Sequence, residues 1–190
     1  MGVLNRRAIA ALLLAAITAA CAGPTDGEAT STAAPLTPSV TVAPEPMRTV
    51  PLGEAVRGSP AGLPGAELTL TLEAVDVMET CPGRSEPVQT PERGYFVILE
   101  VTATLTSPDE TAVAPLGAEN FALRDSEGRA QAISSTDASW ACFEDAELLP
   151  PFVDTSAPVS GKVVLDSRTA EGYVTYRTEE RWKWSWSFSN

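Results

Sequence analysis

The chain closes on a row of rings. The stretch "RWKWSWSFSN" places Trp182, Trp184, Trp186 and Phe188 at every second position, with Lys183, Ser185 and Ser187 between them. A helix would spread these residues around its axis, whereas an extended strand sets them all on one face. Burying one such ring removes on the order of 150–250 Å² from water. The pattern therefore predicts a strand whose even positions face a core and whose odd positions, Lys183, Ser185 and Ser187, face water. Two other readings fit the same row: a platform that stacks on the flat face of a sugar, and an edge strand that pairs with a partner.

The two-residue period recurs upstream. In "AELTLTLEAV", Leu68, Leu70 and Leu72 share one face, while Glu67, Thr69, Thr71 and Glu73 share the other. The apolar phase then moves to Val75 and Val77, which predicts a bulge near Ala74. In "GYFVILEVTATLTS", Tyr95, Val97, Leu99, Val101 and Leu105 align. Phe96 and Ile98 make the start of that strand apolar on both sides, as in the middle of a sheet. "ENFALRDSEGRAQAI" reads as a hairpin, with Phe121 and Leu123 before the turn "DSEG" and Gly128 free to take a positive φ. "PVSGKVVLDS" puts Val159, Val163 and Leu165 on one side. "GYVTYR" precedes the terminal strand, and the polar "TEE" at 178–180 reads as either a turn or an interruption. No segment carries a long 3.6-residue period with helix caps. About seven strands separated by turn signals predict an all-β, antiparallel β-sandwich, with the terminal rings as filling between two sheets.

The N-terminus has a different character. Arg6 and Arg7 lead into "AIAALLLAAITAA", an apolar run from Ala8 to Ala20 broken only by Thr18. The run is too short to span a bilayer and suits the apolar core of an export signal. The paired arginines also permit twin-arginine export. "ITAACAG" resembles the lipobox of bacterial lipoproteins, with Cys21 as the lipidated first residue of the mature protein. Thr18 stands where that pattern usually has Leu, and ordinary cleavage at a small-x-small site is the alternative. Residues 22–48, "AGPTDGEATSTAAPLTPSVTVAPEPMR", hold no Phe, Tyr or Trp and are dominated by Pro, Thr, Ala and Ser. Such a segment buries too little surface to offset its ordering entropy and reads as an extended tether. The expected organisation is a lipoprotein signal over 1–20, a flexible linker over 21–48 and a β-sandwich domain over 49–190. The expected location is the outer face of the cell membrane, anchored through Cys21, with part of the population secreted.

Removing residues 1–20 takes away two arginines and no acid. The mature chain then carries 11 basic against 25 acidic residues, a net charge of −14. That balance opposes nucleic acid and anionic headgroups as partners, and it favours a soluble monomer. With Cys21 assigned to lipid, Cys81 and Cys142 remain as an even pair in an oxidising compartment, and a disulfide between them is expected. A redox pair is the sharper alternative, but the CxxC spacing is missing.

The order of segments resembles the DUF4352, telokin-like or MPT63-like group of exported immunoglobulin-like domains. The matching pieces are "PLGEAVRG" (51–58), "GYFVILEVTATLTS" (94–107), "ENFALRDSEGRAQ" (119–131) and "APVSGKVVLD" (157–166). Here Leu165 replaces the usual Phe, and "TSPDETA" replaces an Asn-rich turn. The resemblance implies an immunoglobulin-like sandwich in a non-enzymatic envelope or secreted protein. Its motifs are structural, so they imply a fold and no catalytic residue.

The search for chemistry returns exclusions. The chain has no histidine, which removes Ser-His-Asp and Cys-His nucleophilic sites and His-ligated zinc. "GSPAGLPG" lacks the lysine and the strand–helix setting of a phosphate loop. Glu144, Asp145 and Glu147 sit close in sequence, so a glycosidase pair and a calcium site are both conceivable there, against the plainer reading of a solvated acidic loop. No catalytic residue, cofactor or metal is assigned. The loop 134–152, "SSTDASWACFEDAELLPPF", is long for a sandwich connection. With 79–93, "ETCPGRSEPVQTPER", it would form a disulfide-clamped patch at one side of the domain. Trp140, Phe143, Glu144 and Asp145 are the candidate interaction residues of that patch, suited to a protein or glycan partner. The alternative is that Trp140 packs over the disulfide as local core. Two functional classes follow. One is a tethered interaction domain, with carbohydrate binding by exposed aromatics as its remote variant; the other is a structural or antigenic surface protein without a specific ligand. An exposed Trp140 beside a concave patch favours the first; a flat charged surface with every tryptophan buried favours the second.

Overall fold

The computed structural model describes residues 48–84, 88–132, 134–178 and 181–190; the side chains of Thr178, Arg181, Trp182 and Lys183 also fall outside the description. Among the described residues, ten strands run in chain order as β1 (Arg48–Thr49), β2 (Ala55–Gly58), β3 (Glu67–Met78), β4 (Tyr95–Thr106), β5 (Val113–Pro115), β6 (Phe121–Arg124), β7 (Phe152–Asp154), β8 (Val159–Ser167), β9 (Glu171–Thr178) and β10 (Arg181–Ser189). A 3-10 turn spans Ala118–Asn120, and a short helix, α1, spans Asp137–Trp140. One four-stranded sheet has the order β1-β10-β9-β6, a second has β2-β3-β4-β8, and β5 pairs with β7 as a separate ribbon. Every pairing between these strands is antiparallel except β1 with β10, which is parallel. Two facing sheets make the all-β, immunoglobulin-like sandwich expected from the pattern.

The period-two residues do the filling. Leu68, Leu70, Leu72, Val97, Leu99, Val101, Val163 and Leu165 of one sheet meet Phe121, Leu123, Val174, Tyr176, Trp184, Trp186 and Phe188 of the other in one buried cluster. Trp184, Trp186 and Phe188 are buried, and Trp186 is 0 % exposed. The terminal row is therefore core for those three rings; the side chain of Trp182 lies outside the described residues. Cross-strand pairing stacks the aromatics: Tyr176 pairs with both Phe121 and Trp184, with ring centroids 5.0 and 6.4 Å away. Burial pushes the Tyr176 hydroxyl up to about 12, with the nearby Glu119 charge adding to the shift.

One expectation for β10 needs correction. Ser185 was to face water, yet it is buried. The parallel strand β1 is the cause: the Ser185 hydroxyl donates to the Arg48 carbonyl at 3.3 Å, and its Oγ lies 3.4 Å from the Thr49 hydroxyl. A second irregularity lies between Trp182 and Trp184, where the register against β9 shifts. Arg181 pairs with Thr178 across residues 179–180, which lie outside the description.

Strand β3 shifts register between Leu72 and Ala74, the bulge that the change of apolar phase implied. Strand β4 is central, between β3 and β8. The turn after β6 closes as expected, with Gly128 at φ 80° and its N–H donating to Asp125 O at 2.9 Å. Its return arm is shorter than a hairpin strand, reduced to a bridge between Arg124 and Ala130.

Candidate functional site

The sheet β2-β3-β4-β8 is covered on its outer face as well. Phe96, Ile98 and Val164 point away from the sandwich core and form a second buried cluster with Cys81 and Cys142. This explains why β4 begins apolar on both sides. It also explains the unbroken run Val163-Val164-Leu165, whose middle residue serves the outer layer.

Residues 79–84, 88–93 and 134–151 build that layer, and a Cys81–Cys142 disulfide with Cα atoms 5.4 Å apart joins them. Arg84 tightens the junction. Its N–H donates to Ala141 O at 2.7 Å, its Nε donates to Phe143 O at 2.8 Å, and its guanidinium meets Asp145 at 2.7 Å. Asp166 ties both segments to β8. This fully buried carboxylate accepts from Glu92 N–H at 2.7 Å, Arg93 N–H at 3.1 Å and the Thr136 hydroxyl at 3.0 Å. The outer edge of β8 is closed by the same flap: Leu149 N–H donates to Lys162 O, and Lys162 N–H to Glu147 O, both at 2.8 Å. The approach is so close that a methyl group on Gly161 would lie 2.5 Å from Leu149 N.

Helix α1 is a single turn and was not anticipated. Its start is a reciprocal cap: Thr136 Oγ1 accepts from Ser139 N–H at 3.2 Å, and Ser139 Oγ accepts from Thr136 N–H at 2.9 Å. Such a box satisfies two N-terminal donors at once. Because the Thr136 hydroxyl also donates to Asp166, the turn is fixed to the sheet.

Trp140 ends this turn and is 53 % exposed. It does not pack over the disulfide as local core. Ala138, Phe143 and Leu148 take that place against the half-cystines. Beside the indole is a recess of about 90 Å³, whose walls include Trp140, Leu148, Leu149, Pro151, Lys162 and Val164. Phe152, adjacent to Pro151 in the chain, is also exposed.

The other candidate residues sort differently. Phe143 is half-buried, with Lys162 Nζ 5.4 Å from its ring centre. Lys162 Nζ also lies 3.7 Å from Glu100. Glu144 and Asp145 are exposed, and Asp145 is committed to Arg84. Among the described residues no group of three Asp, Glu or Cys side chains converges to hold a metal ion. Among the described residues no helix is long and apolar enough to cross a membrane. Cys21 lies outside the described residues. Sequence reasoning missed Asp166, Arg84, Lys162 and the recess. Only Asp166 left a signal, an acid directly following the apolar run "VVL".

No family model matches this chain, and no curated protein matches it. Among solved structures, the chain is similar to the crystal structure of a secreted protein from Mycobacterium tuberculosis, MPT63, with a TM-score of 0.52 and 12 % identity, covering 75 % of this chain and 98 % of that one. The likeness is one of fold, and it agrees with the immunoglobulin-like sandwich derived from the strand pattern.

Proposed function

We propose that the chain is an exported envelope lipoprotein, anchored through Cys21 and tethered by residues 21–47, that presents its sandwich domain for binding a protein or an envelope polymer without catalysis. The observation that carries this reading is Trp140, held in solvent beside a recess by a capped turn, a disulfide and a buried carboxylate. Rigid aromatic anchors next to a pocket are what interfaces use, because little side-chain freedom is lost on contact. A purely structural or antigenic role would not require an indole to be fixed in water at this expense of apolar exposure.

The likeness to a secreted protein supports an extracytoplasmic location, as do the apolar segment 8–20 and the disulfide. The narrower DUF4352-like assignment rests on the four quoted segments. The test is affinity capture from an envelope extract using the mature chain made soluble by Cys21→Ser, with and without Trp140→Ala. The reading expects at least one component to be retained by the unsubstituted chain and lost with Trp140→Ala. Identical recovery by both forms would remove the support for docking at this loop.

A further inference from the structure

The Cys81–Cys142 bond does not join the outer layer to the sheet; it joins the two halves of the layer to each other. Each half has its own hold on β8. The first is held where Glu92 N–H and Arg93 N–H donate to Asp166. The second is held by the Thr136 hydroxyl on the same carboxylate. Its two ends are rooted more deeply. Ser134 accepts from Asp166 N–H and from Leu123 N–H, and Leu149 belongs to the core between the sheets. Besides the disulfide, the halves meet through Gly83 N–H on Cys142 O, Arg84 N–H on Ala141 O and the Arg84 side chain. Beneath them Phe96, Ile98 and Val164 are buried. Their neighbours on the same strands, Val97, Leu99, Val163 and Leu165, face the opposite way, into the sandwich core.

We propose that this bond is a redox latch: when a dithiol reduces it, the two halves part, the chain between Ser134 and Leu149 lifts from β4 and β8, and Phe96, Ile98 and Val164 are uncovered while the sandwich stays folded. Oxidised, the layer holds Trp140 in place; reduced, it releases the turn that carries it. This goes beyond the interaction reading and does not depend on what docks at Trp140. The chemistry is thiol–disulfide exchange. One thiolate of the dithiol attacks the Sγ of one half-cystine and expels the other as a thiolate; the second thiol then closes a cyclic disulfide and frees the first cysteine. Two electrons and two protons pass from the dithiol to the protein. While the bond is closed, both halves must lift together and give up every hold at once. After reduction either half leaves alone, giving up only its own hydrogen bonds, so opening becomes a local event. Packing acts in the same direction. The half-cystines are 2 % and 0 % exposed, and two thiols no longer bonded need van der Waals separation in an interior with no spare room. The same burial means that a reductant reaches the sulfur during a brief opening, so reduction is slow, and the layer stays open once it is complete.

The test uses the Cys21→Ser mature chain, first oxidised and then held in excess dithiothreitol without denaturant until mass spectrometry of alkylated samples finds both thiols free. Amide hydrogen exchange is read residue by residue in the two states. The N–H groups of Gly83, Arg84, Glu92, Arg93 and Ala141, which bond within the layer or to Asp166, should exchange at least about tenfold faster after reduction. Those inside β3, β4 and β9 should not change. A dye that brightens on exposed apolar surface should respond to the reduced chain. Reoxidation should reverse both effects, and the Cys81→Ser, Cys142→Ser pair should show the reduced pattern without dithiothreitol. A bond that stays closed in dithiothreitol under these conditions would overturn the proposal. So would unchanged exchange across the layer once both thiols are free. Exchange that rises equally inside β3, β4 and β9 would overturn it too, because the domain would then unfold as a whole, and so would a reduced pattern that reoxidation does not reverse.

Discussion

Thr136 and Asp166, thirty residues apart in the chain, share a 3.0 Å hydrogen bond that couples the cap of the Trp140 turn to the interior of β8. The same carboxylate holds the N–H groups of Glu92 and Arg93. Asp166→Ala would leave three part-buried donors without their acceptor, each at the low end of the roughly 1–3 kcal/mol that an unpaired buried donor costs. The variant should lose about 3 kcal/mol or more of stability in urea unfolding. Native-state proteolysis should then cut within 134–151 before the rest of the domain.

The Cys81–Cys142 bridge closes the same structure, with a sequence separation of 61. In the chain-entropy account a loop of that length is worth about 4 kcal/mol. The Cys81→Ser, Cys142→Ser pair should therefore unfold at a clearly lower urea midpoint. It should also lose any Trp140-dependent binding while keeping its strand signature in circular dichroism, because the sandwich core is separate from the cluster around the disulfide.

Trp140 and Trp186 should respond oppositely to truncation. Trp186 is 0 % exposed and Trp140 is 53 % exposed. Trp186→Ala leaves a cavity between the sheets and should cost about 3–5 kcal/mol, whereas Trp140→Ala should stay within about 0.5 kcal/mol of the parent. Paired thermal melts read the difference.

Gly161 is a glycine because the flap backbone passes over it. A methyl group there would sit 2.5 Å from Leu149 N and 2.6 Å from Leu148 C. Gly161→Ala should cost about 1–3 kcal/mol through displacement of the 147–149 backbone. Faster amide exchange at Leu149 and Lys162, whose N–H groups bond across this edge, would locate the damage.

Alkaline pH should weaken the fold through Tyr176. Its hydroxyl ionises near 10.0 when unfolded and at about 12 in the folded chain. Above pH 10 the unfolded chain gives up this proton while the folded chain keeps it. Stability is thus unaffected by this group below pH 10, falls as pH rises towards 12, and levels off beyond; the loss is about 3 kcal/mol. Tyr176→Phe should remove that part of the decline.

The sandwich was legible because burial enforces a period of two over long strands: Leu68 to Leu72, Val97 to Leu105 and Trp184 to Phe188 all point as their spacing requires, and only Tyr95 at the start of β4 stays outside the core cluster. The bulge near Ala74 and the double-sided start of β4 were legible for the same reason. The second layer was only half visible. Phe96 and Ile98 signalled that something covers β4, but spacing does not say what. A one-turn helix is too short to show a period, and Trp140 reads alike whether it is core or surface. Ser185 was misplaced because a two-residue parallel contact, Arg48–Thr49 on β10, leaves no pattern in the sequence. Asp166, Arg84 and Lys162 matter through partners far away in the chain, which periodicity does not reveal.

The flap holds the Trp140 indole in solvent while Trp184 and Trp186 of the terminal strand fill the core. Hydroxyl-radical footprinting of the native protein, read tryptophan by tryptophan, tests it most directly. The account predicts rapid modification of Trp140 with Trp184 and Trp186 protected until the protein is unfolded. Protection of Trp140 to the level of Trp186, or rapid modification of Trp184 and Trp186 in the native state, would contradict it.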